Sequence, residues 1–568
     1  MSNGGAQFQL FQFADDTGTP YAITAELPNT PANIYVSAIG DDAHDGLSTS
    51  TPKKTIGAAL ALIPNPSSTS CTIHVASGAY SLNEIQDAAI YVDKKFINST
   101  SLTINGYINS TPNSFAHSPY DSGTSSGSNT NNFPINDTPT ADETYFYDTS
   151  KSGVWTTNSN QFKWLKLTGG TGYVSGSFNL VDNWYFISSS TTTRLNIVGR
   201  WASTTPDVTT TYEIYDPANA PIFTVGAADY GLKMAGAEKV SINFLKLLEP
   251  TVGSFQISDA KTCYINMAHL TGGDSGIYQG ADVRVYKSYL EGTSDRLQGV
   301  EVLRNSVATF RGSLFTGYAG RGLYALRAEA YLQQCYLDST NTHVDSGVNA
   351  GVYADAGSAV GISGSRIYGR NFTSGANYAV FESYHAQVQI QPYVHLIGFS
   401  NTANTYGLGQ INNANVEVNT GPALISNVWR GRSSVGQSIY FTSGADFTYA
   451  SIGAGGNVYE DLAQSNVTSS RLKNTTYTNT SYRPLLVHCT WSCAITTGGG
   501  SVFIIPKSDS ASPPTTQVAG AVGINAGLLN DSVLVQQVFI VAAGMNYRID
   551  TTETNGTATL GKWFEIGL

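Results

Sequence analysis

Apolar and polar residues alternate in short runs along much of this chain, the period-2 pattern of strands with one face turned to a core. Between residues 231 and 398 the runs themselves repeat. Anchored on an apolar residue after a Gly or small turn residue, the repeat falls at Leu232, Phe255, Ile277, Val300, Leu323, Val352 and Ala379, with spacings of 23, 22, 23, 23, 29 and 27 positions. A second column keeps step. Ala268, Ser288, Ser313, Cys335 and Ser365 are small, and two positions after each stands a large apolar residue, Leu270, Leu290, Phe315, Leu337 and Ile367. A fixed period near two dozen residues with alternation inside it predicts a coiled strand solenoid, whose equivalent side chains stack about 4.8 Å apart.

The flanking segments predict other elements. Residues 34–37 read as a strand entering an Asp- and Gly-rich turn at 40–46. Pro52 opens an amphipathic helix with Ile56, Ala59, Leu60 and Ile63 inward, stopped at Pro64, and a strand follows at 71–80. Residues 1–32 are polar with brief alternation and read as an arm, and 33–110 as the first rungs with their cap. Residues 111–160 turn to Ser, Thr, Asn and Gly, which predicts a polar loop insertion. The solenoid is expected over 161–480, including strands at 162–167, 184–187 and 195–198 and weaker rungs such as 416–418 and 438–442. Residues 481–568 carry longer alternating stretches between polar turns, the pattern of an antiparallel sandwich.

Two stretches resemble known families. Tyr35-Val36, Gly40-Asp41, Asp45-Gly46, Thr51-Pro52, Thr55-Ile56 and Gly78-Ala79-Tyr80 resemble the opening of right-handed parallel β-helix proteins of the pectin-lyase-like superfamily. The resemblance implies that fold, with the helix covering the first rung's strand edges and apolar lumen. It implies no single activity, because lyases, hydrolases and non-catalytic spikes share the scaffold. Arg483-Pro484, Gly544-Met545-Asn546-Tyr547-Arg548 and Trp563 are similar to the small β domains that end many bacteriophage tail fibres and spikes. Together these resemblances imply a tailspike or tail fibre in the virion tail, assembled in the host cytoplasm and acting at the host cell surface. Its expected partners are a host surface polysaccharide, a tail or baseplate protein at the N-terminal arm, and two further copies in a homotrimer that the last domain locks.

Composition narrows the classes. Charged residues are 12% of 568, about half the usual share. The net charge of −11 and the lack of Lys/Arg clusters argue against a nucleic-acid partner. No apolar run approaches a membrane span, and the first residues lack the basic region and apolar core of a secretory signal. The five cysteines are scattered, as expected of reduced structural thiols. Cys489 and Cys493 sit in HCTWSC beside His488, which raises zinc. Strand residues four apart stand about 13 Å apart, too far to share a metal or a disulfide. No metal and no cofactor is expected.

Registering the rungs on the anchors puts Leu303, Leu326, Asp355 and Glu382 in nearly one column, with Arg304 and Arg327 in the next. Glu329, Ser358 and His385 lie three positions beyond the first column. Asp355 and Glu382 are then one rung apart, with Arg327 below and His385 beside them. Two carboxylates about 5 Å apart cannot both ionise cheaply, so one keeps a proton. Glycoside hydrolysis needs that division, an acid for the leaving oxygen and a carboxylate as nucleophile or base. Adjacent-rung spacing falls near the retaining separation of about 5–5.5 Å, while two-rung spacing fits inversion. The competing reading is a solvated turn whose charges pair loosely and contribute little.

A second acidic cluster, Asp274, Asp282, Glu291, Asp295, Arg296 and Glu301, holds the residue types of a calcium-dependent lyase but no compact Asp-x-Asp-x-Asp loop. Asp41, Asp42 and Asp45 either hold calcium or cap their own turn. The outward positions between the small and large columns carry His269, Tyr289, Tyr336 and Arg366. Their Tyr and Arg form a stripe suited to stacking on sugar rings, although Tyr is also an ordinary strand residue.

The expected protein is therefore an all-β right-handed parallel β-helix with an N-terminal capping helix and a C-terminal β-sandwich. Its expected role is to bind a surface polysaccharide and to depolymerise it, hydrolysis being favoured over elimination. Asp355, Glu382, Arg327 and His385 are the catalytic candidates, and Tyr289, Tyr336, Arg366 and Arg304 the substrate-binding ones. The alternatives are a non-catalytic adhesin or structural fibre on the same scaffold, and a free bacterial polysaccharide lyase or hydrolase.

Overall fold

A computed structural model of the chain describes residues 8–14, 20–25, 30–82, 89–97, 99–131, 144–175, 182–225, 230–248, 253–272, 274–292, 298–318, 320–338, 349–369, 377–391 and 394–398, the strands between 405 and 466, and then 470–479, 484–496, 500–526 and 532–567. It divides into two compact units, Met1–Val458 and Tyr459–Leu568.

The first unit is a right-handed parallel β-helix of three parallel ladders. Asn33–Val36 and Cys71–Val75 begin the first ladder, Gly78–Leu82 the second and Ile90–Val92 the third. One full rung runs Leu232–Ala235, Val240–Asn243 and Lys246–Leu248, through the third, first and second ladders in turn. Every second residue turns inward, so Ile242, Ile265, Val285, Phe310 and Leu332 stack in one continuous buried core. Each such side chain contributes about 1.5–3 kcal/mol by leaving water. The six-residue helix Ile56–Ala61 is capped by Thr55 Oγ1, which accepts from the Ala58 amide at 3.1 Å, and it buries Ile56, Ala59 and Leu60.

Corners repeat as faithfully as strands. Between the first and second ladders the backbone turns through a left-handed residue at Phe244, Met267, Lys287, Gly312, Gln334 and Gly364, with φ between 48° and 59°. From Met267 onward the residue after each forms the small column found in the sequence, and its hydroxyls tie neighbouring rungs. Ser288 Oγ accepts from the Ala268 amide at 3.2 Å, and Ser365 Oγ accepts from the Cys335 amide at 3.0 Å. Between the third and first ladders a second left-handed column comprises Asp259, Gln279, Arg304, Arg327, Ala356 and Tyr384. Arg304 and Arg327 do share a column, but it is this corner.

The structure corrects the register in two places. Phe255 lies abreast of Ser275 rather than Ile277, because Gln256 pairs with Gly276. Val352 pairs with Val380 rather than Ala379, and Ala354 with Glu382. The small residues Gly351 and Ala379 precede the true anchors there, so the apolar mark is ambiguous by one position. Glu382 is thus not in the Asp355 column; Ser383 is. Glu329 pairs with Ala359 and not Ser358, and His385 falls in the corner before Gln387, the partner of Ala359.

The segment read as a polar loop and as resumed solenoid folds differently. Asp121–Thr124, Tyr145–Tyr147, Trp164–Gly169, Trp184–Ser190, Arg194–Ile197 and Thr211–Tyr215 form one six-stranded antiparallel sheet. The helical coil resumes only at Pro221–Val225, which pairs with Gly78–Leu82. Both faces of the inserted sheet are apolar. Leu165, Tyr185, Ile187 and Leu195 build its own core, while Trp164, Trp184 and Phe186 face the solenoid.

In the second unit, two four-stranded antiparallel sheets enclose Val487, Cys489, Trp491, Cys493, Val502, Phe539 and Trp563. Cys489 and Cys493 are free thiols in this core. At the N-terminus, Phe8–Ala14 and Pro20–Ala25 pair as an antiparallel hairpin.

Candidate functional site

The outer face of the second ladder carries the stripe proposed for sugar binding, and the inserted sheet covers it. Tyr289 is 3% exposed, Tyr336 7% and Arg366 3%. Phe162 stacks on Tyr289 with ring centroids 4.8 Å apart and planes 11° from parallel, and Trp164 Nε1 donates to the Lys287 carbonyl at 3.0 Å. Arg366 Nη1 donates to the Tyr336 hydroxyl at 2.7 Å. These three are seam residues, not a groove, and Arg304 is exposed in a corner elsewhere. At the seam's edge His269 Nε2 donates to Glu291 at 3.0 Å. Burial lowers the imidazole below its ordinary range, and that bond lowers Glu291 below the ordinary carboxylate range.

A different face brings chemistry together. On the third ladder, Glu301, Tyr324, Tyr353 and Phe381 stand abreast on four successive rungs. Tyr324 and Tyr353 meet edge to face at 5.4 Å, and Tyr353 and Phe381 lie tilted at 5.1 Å. The Arg321 guanidinium sits over both tyrosines, 4.7 Å from the Tyr324 centroid and 4.2 Å from that of Tyr353.

A carboxylate lies at either side of this ring stack, each held by a tyrosine. Asp355 accepts from Ser383 Oγ at 2.7 Å and from the Tyr324 hydroxyl at 3.3 Å. Glu301 accepts from the Tyr278 hydroxyl at 3.0 Å. Tyr278 reaches it by folding across Gly276, where an added Cβ would stand 2.0 Å from the ring. Burial raises Glu301 above the ordinary carboxylate value, against the pull of the Tyr278 bond. Burial and then the charge of Asp355 push the Tyr324 phenol up to about 12. Glu301 and Asp355 are two rungs and two residues apart, about 12 Å between Cα atoms. That spacing lets side chains converge on one sugar unit without touching.

Of the four residues expected to be catalytic, only Asp355 joins this strip. Arg327 and His385 are exposed in left-handed corners, with the Arg327 amide 3.5 Å from the Asp355 carbonyl. Glu382 belongs by backbone pairing to the Ala354 column. Of the second acidic cluster, Glu301 is in the strip, Glu291 is at the seam, and Asp295 and Arg296 lie outside the described residues. The Asp41, Asp42 and Asp45 carboxylates cap their own loop. Asp42, for example, accepts from the Lys54 and Thr55 amides at 2.8 and 2.9 Å. Arg321, Tyr324, Tyr353 and Tyr278 escaped the sequence reading. Their signal was present: Gly299-Val300-Glu301, Gly322-Leu323-Tyr324 and Gly351-Val352-Tyr353 repeat a Gly–apolar–outward triplet.

No protein-family model and no curated protein matches the sequence. Among solved structures, the chain is similar to the Pseudomonas phage phi297 tailspike gp61, at 11% identity and a TM-score of 0.28 over 95% of this chain and 100% of that one. It is similar also to the Gp54 tailspike of Acinetobacter baumannii bacteriophage AP22, solved with a capsular saccharide, at 9% identity and a TM-score of 0.27 over 88% and 91% of the two chains. A third is Pantoea stewartii WceF, a glycan biofilm modifying enzyme, at 10% identity and a TM-score of 0.20 over 60% and 56%.

Proposed function

We propose that this chain is a tailspike-type protein that binds a surface polysaccharide along the outer face of its third ladder and hydrolyses it there. The observation that carries the reading is the pairing of Glu301 and Asp355 across a ring stack, each oriented by a tyrosine hydroxyl. Tyr353 and Phe381 are buried in the stack, and half-buried Tyr324 offers a CH-rich sugar face a flat apolar partner. Glu301, whose hold on its proton burial strengthens, gives that proton to the glycosidic oxygen. Asp355 takes a proton from the water that attacks the anomeric carbon. The two-rung spacing leaves room for that water between the carboxyl groups, as inversion requires. In this reading the N-terminal hairpin attaches to a virion tail protein, and the sandwich of the second unit joins three copies.

The test is reducing-end release, with absorbance for unsaturated products, from a panel of bacterial surface polysaccharides. Wild type is compared with Glu301→Gln and Asp355→Asn. Release by wild type that falls at least 100-fold in both variants, as expected for loss of acid or base, supports hydrolysis at this strip. Release retained in both removes the strip from catalysis, and unsaturated products replace hydrolysis by elimination. A second reading, an adhesin that grips without cutting, is favoured by the hydroxyls already bonded to both Asp355 oxygens. Binding without release establishes it.

A further inference from the structure

The guanidinium of Arg321 has no role in the hydrolytic scheme, and its surroundings are unusual. It lies against the Tyr324 and Tyr353 rings. Its Nε is buried and has no hydrogen-bond partner. Among the described residues no carboxylate comes within ion-pair distance of it. The two acids nearby are otherwise engaged, Glu301 with the Tyr278 hydroxyl and Asp355 with Ser383 and Tyr324. A buried guanidinium nitrogen left unbonded costs free energy that a fold rarely carries without use. Arg presents a planar fork matched to a carboxylate. Here the fork sits in the ring stack where a sugar would lie.

We infer that Arg321 selects an acidic sugar, taking the carboxylate of a uronate-type unit on its guanidinium while the unit's ring lies against Tyr324, the half-buried ring of the stack. This rests on the third-ladder strip being the glycan site. It adds the substrate class: a polysaccharide with a carboxylate in its repeat, in preference to a neutral one.

The experiment measures binding of acidic bacterial surface polysaccharides, each in native and carboxyl-reduced form, to wild type, Arg321→Gln, Arg321→Lys and Tyr324→Ala. Unchanged thermal unfolding confirms that each variant is folded. The expected result is that wild type prefers a native polymer over its reduced form by about 10- to 100-fold, as a charge-assisted hydrogen bond supplies. Arg321→Gln erases that preference and the salt dependence that goes with it. Arg321→Lys restores part of it, and Tyr324→Ala weakens both forms. Equal binding of native and reduced polymers by wild type, with loss in Tyr324→Ala, overturns the acidic-sugar assignment and leaves the strip as the glycan site. Binding indifferent to both Arg321 and Tyr324, or no binding at all, overturns the strip itself.

Discussion

Ser383 Oγ lies 2.7 Å from Asp355 Oδ1, donated from the rung above. This bond, not a second acid, is what stacking places beside Asp355. The same hydroxyl lies 3.2 Å from that of Tyr353, so Ser383 links the carboxylate to the ring stack. Ser383→Ala is expected to lower stability by about 1 kcal/mol, the worth of one hydrogen bond, and to reduce kcat of glycan release with little change in KM. Thermal unfolding and steady-state kinetics measure both. An unchanged kcat would separate Ser383 from Asp355 function.

Glu301 makes stability depend on pH with a definite sign. Burial raises its folded value above the ordinary 4.5, so the folded chain holds a proton that the unfolded chain has already released. That contribution is fully present below about 4.5 and is lost as pH rises through the raised folded value. Wild type should therefore lose stability relative to Glu301→Gln between pH 4.5 and neutrality, and the difference should level off at the acid end. Parallel denaturant titrations across that range measure it. A difference that grows towards acid reverses the assignment.

The solenoid was legible because its periodicity is physical: rungs must stack inward residues on inward residues, and small residues follow most left-handed corners between the first and second ladders. Ser288, Ser313 and Cys335 marked the period without any structure. The sheet over the second ladder was not legible as a cover. Trp164, Trp184 and Phe186 alternate like any strand with a core on one side, and nothing local says that the other apolar set belongs to a seam. Covering inverted the meaning of Tyr289 and Tyr336, which are outward on the coil yet buried. The catalytic column failed by one residue at Ala379, where a small residue precedes the true anchor Val380. A single-residue slip in a strand moves every side chain to the other face. It exchanged Ser383 for Glu382, while Glu301, Tyr324 and Tyr353 stood one position after anchors in correct register.

The seam predicts how the cover responds to damage. Trp164 is fully buried and its indole donates to the Lys287 carbonyl. Trp164→Ala should cost about 3–5 kcal/mol, as large aromatic truncations do, and should uncover Tyr289. Hydrogen exchange over 121–215 and nitration of Tyr289 both read the opening. Nitration of Tyr289 in wild type at the rate of an exposed tyrosine contradicts a closed seam.

Left-handed corners carry a cost that differs by residue. In the column Asp259, Gln279, Arg304, Arg327, Ala356 and Tyr384, Ala356 has φ 47° and no polar side chain to bond its own backbone. A left-handed L-residue costs about 1–2 kcal/mol, which glycine avoids at some loss of chain entropy. Ala356→Gly is expected to be neutral to stabilising by up to about 1 kcal/mol, where glycine at a right-handed position would destabilise. A fall in unfolding temperature contradicts the corner.

Within the second unit, Glu565 is the acceptor on which a strap converges. Arg471 donates to its two oxygens from Nε and Nη2 at 2.6 and 2.7 Å. The Tyr547 hydroxyl and Trp563 Nε1 add bonds at 2.6 and 3.0 Å, and the Arg471 guanidinium lies 4.4 Å from the Tyr477 ring centroid. Both charged side chains are largely shielded from water. Removing one charge of such a pair leaves the other uncompensated, at about 3–5 kcal/mol when buried. Glu565→Gln should therefore release residues 470–479 from the sandwich before the sheets themselves open. Hydrogen exchange on the full-length chain should show faster exchange there, while the core around Trp491 keeps its protection. Simultaneous loss of protection in strap and core would mean that the strap and the sandwich open as one cooperative unit.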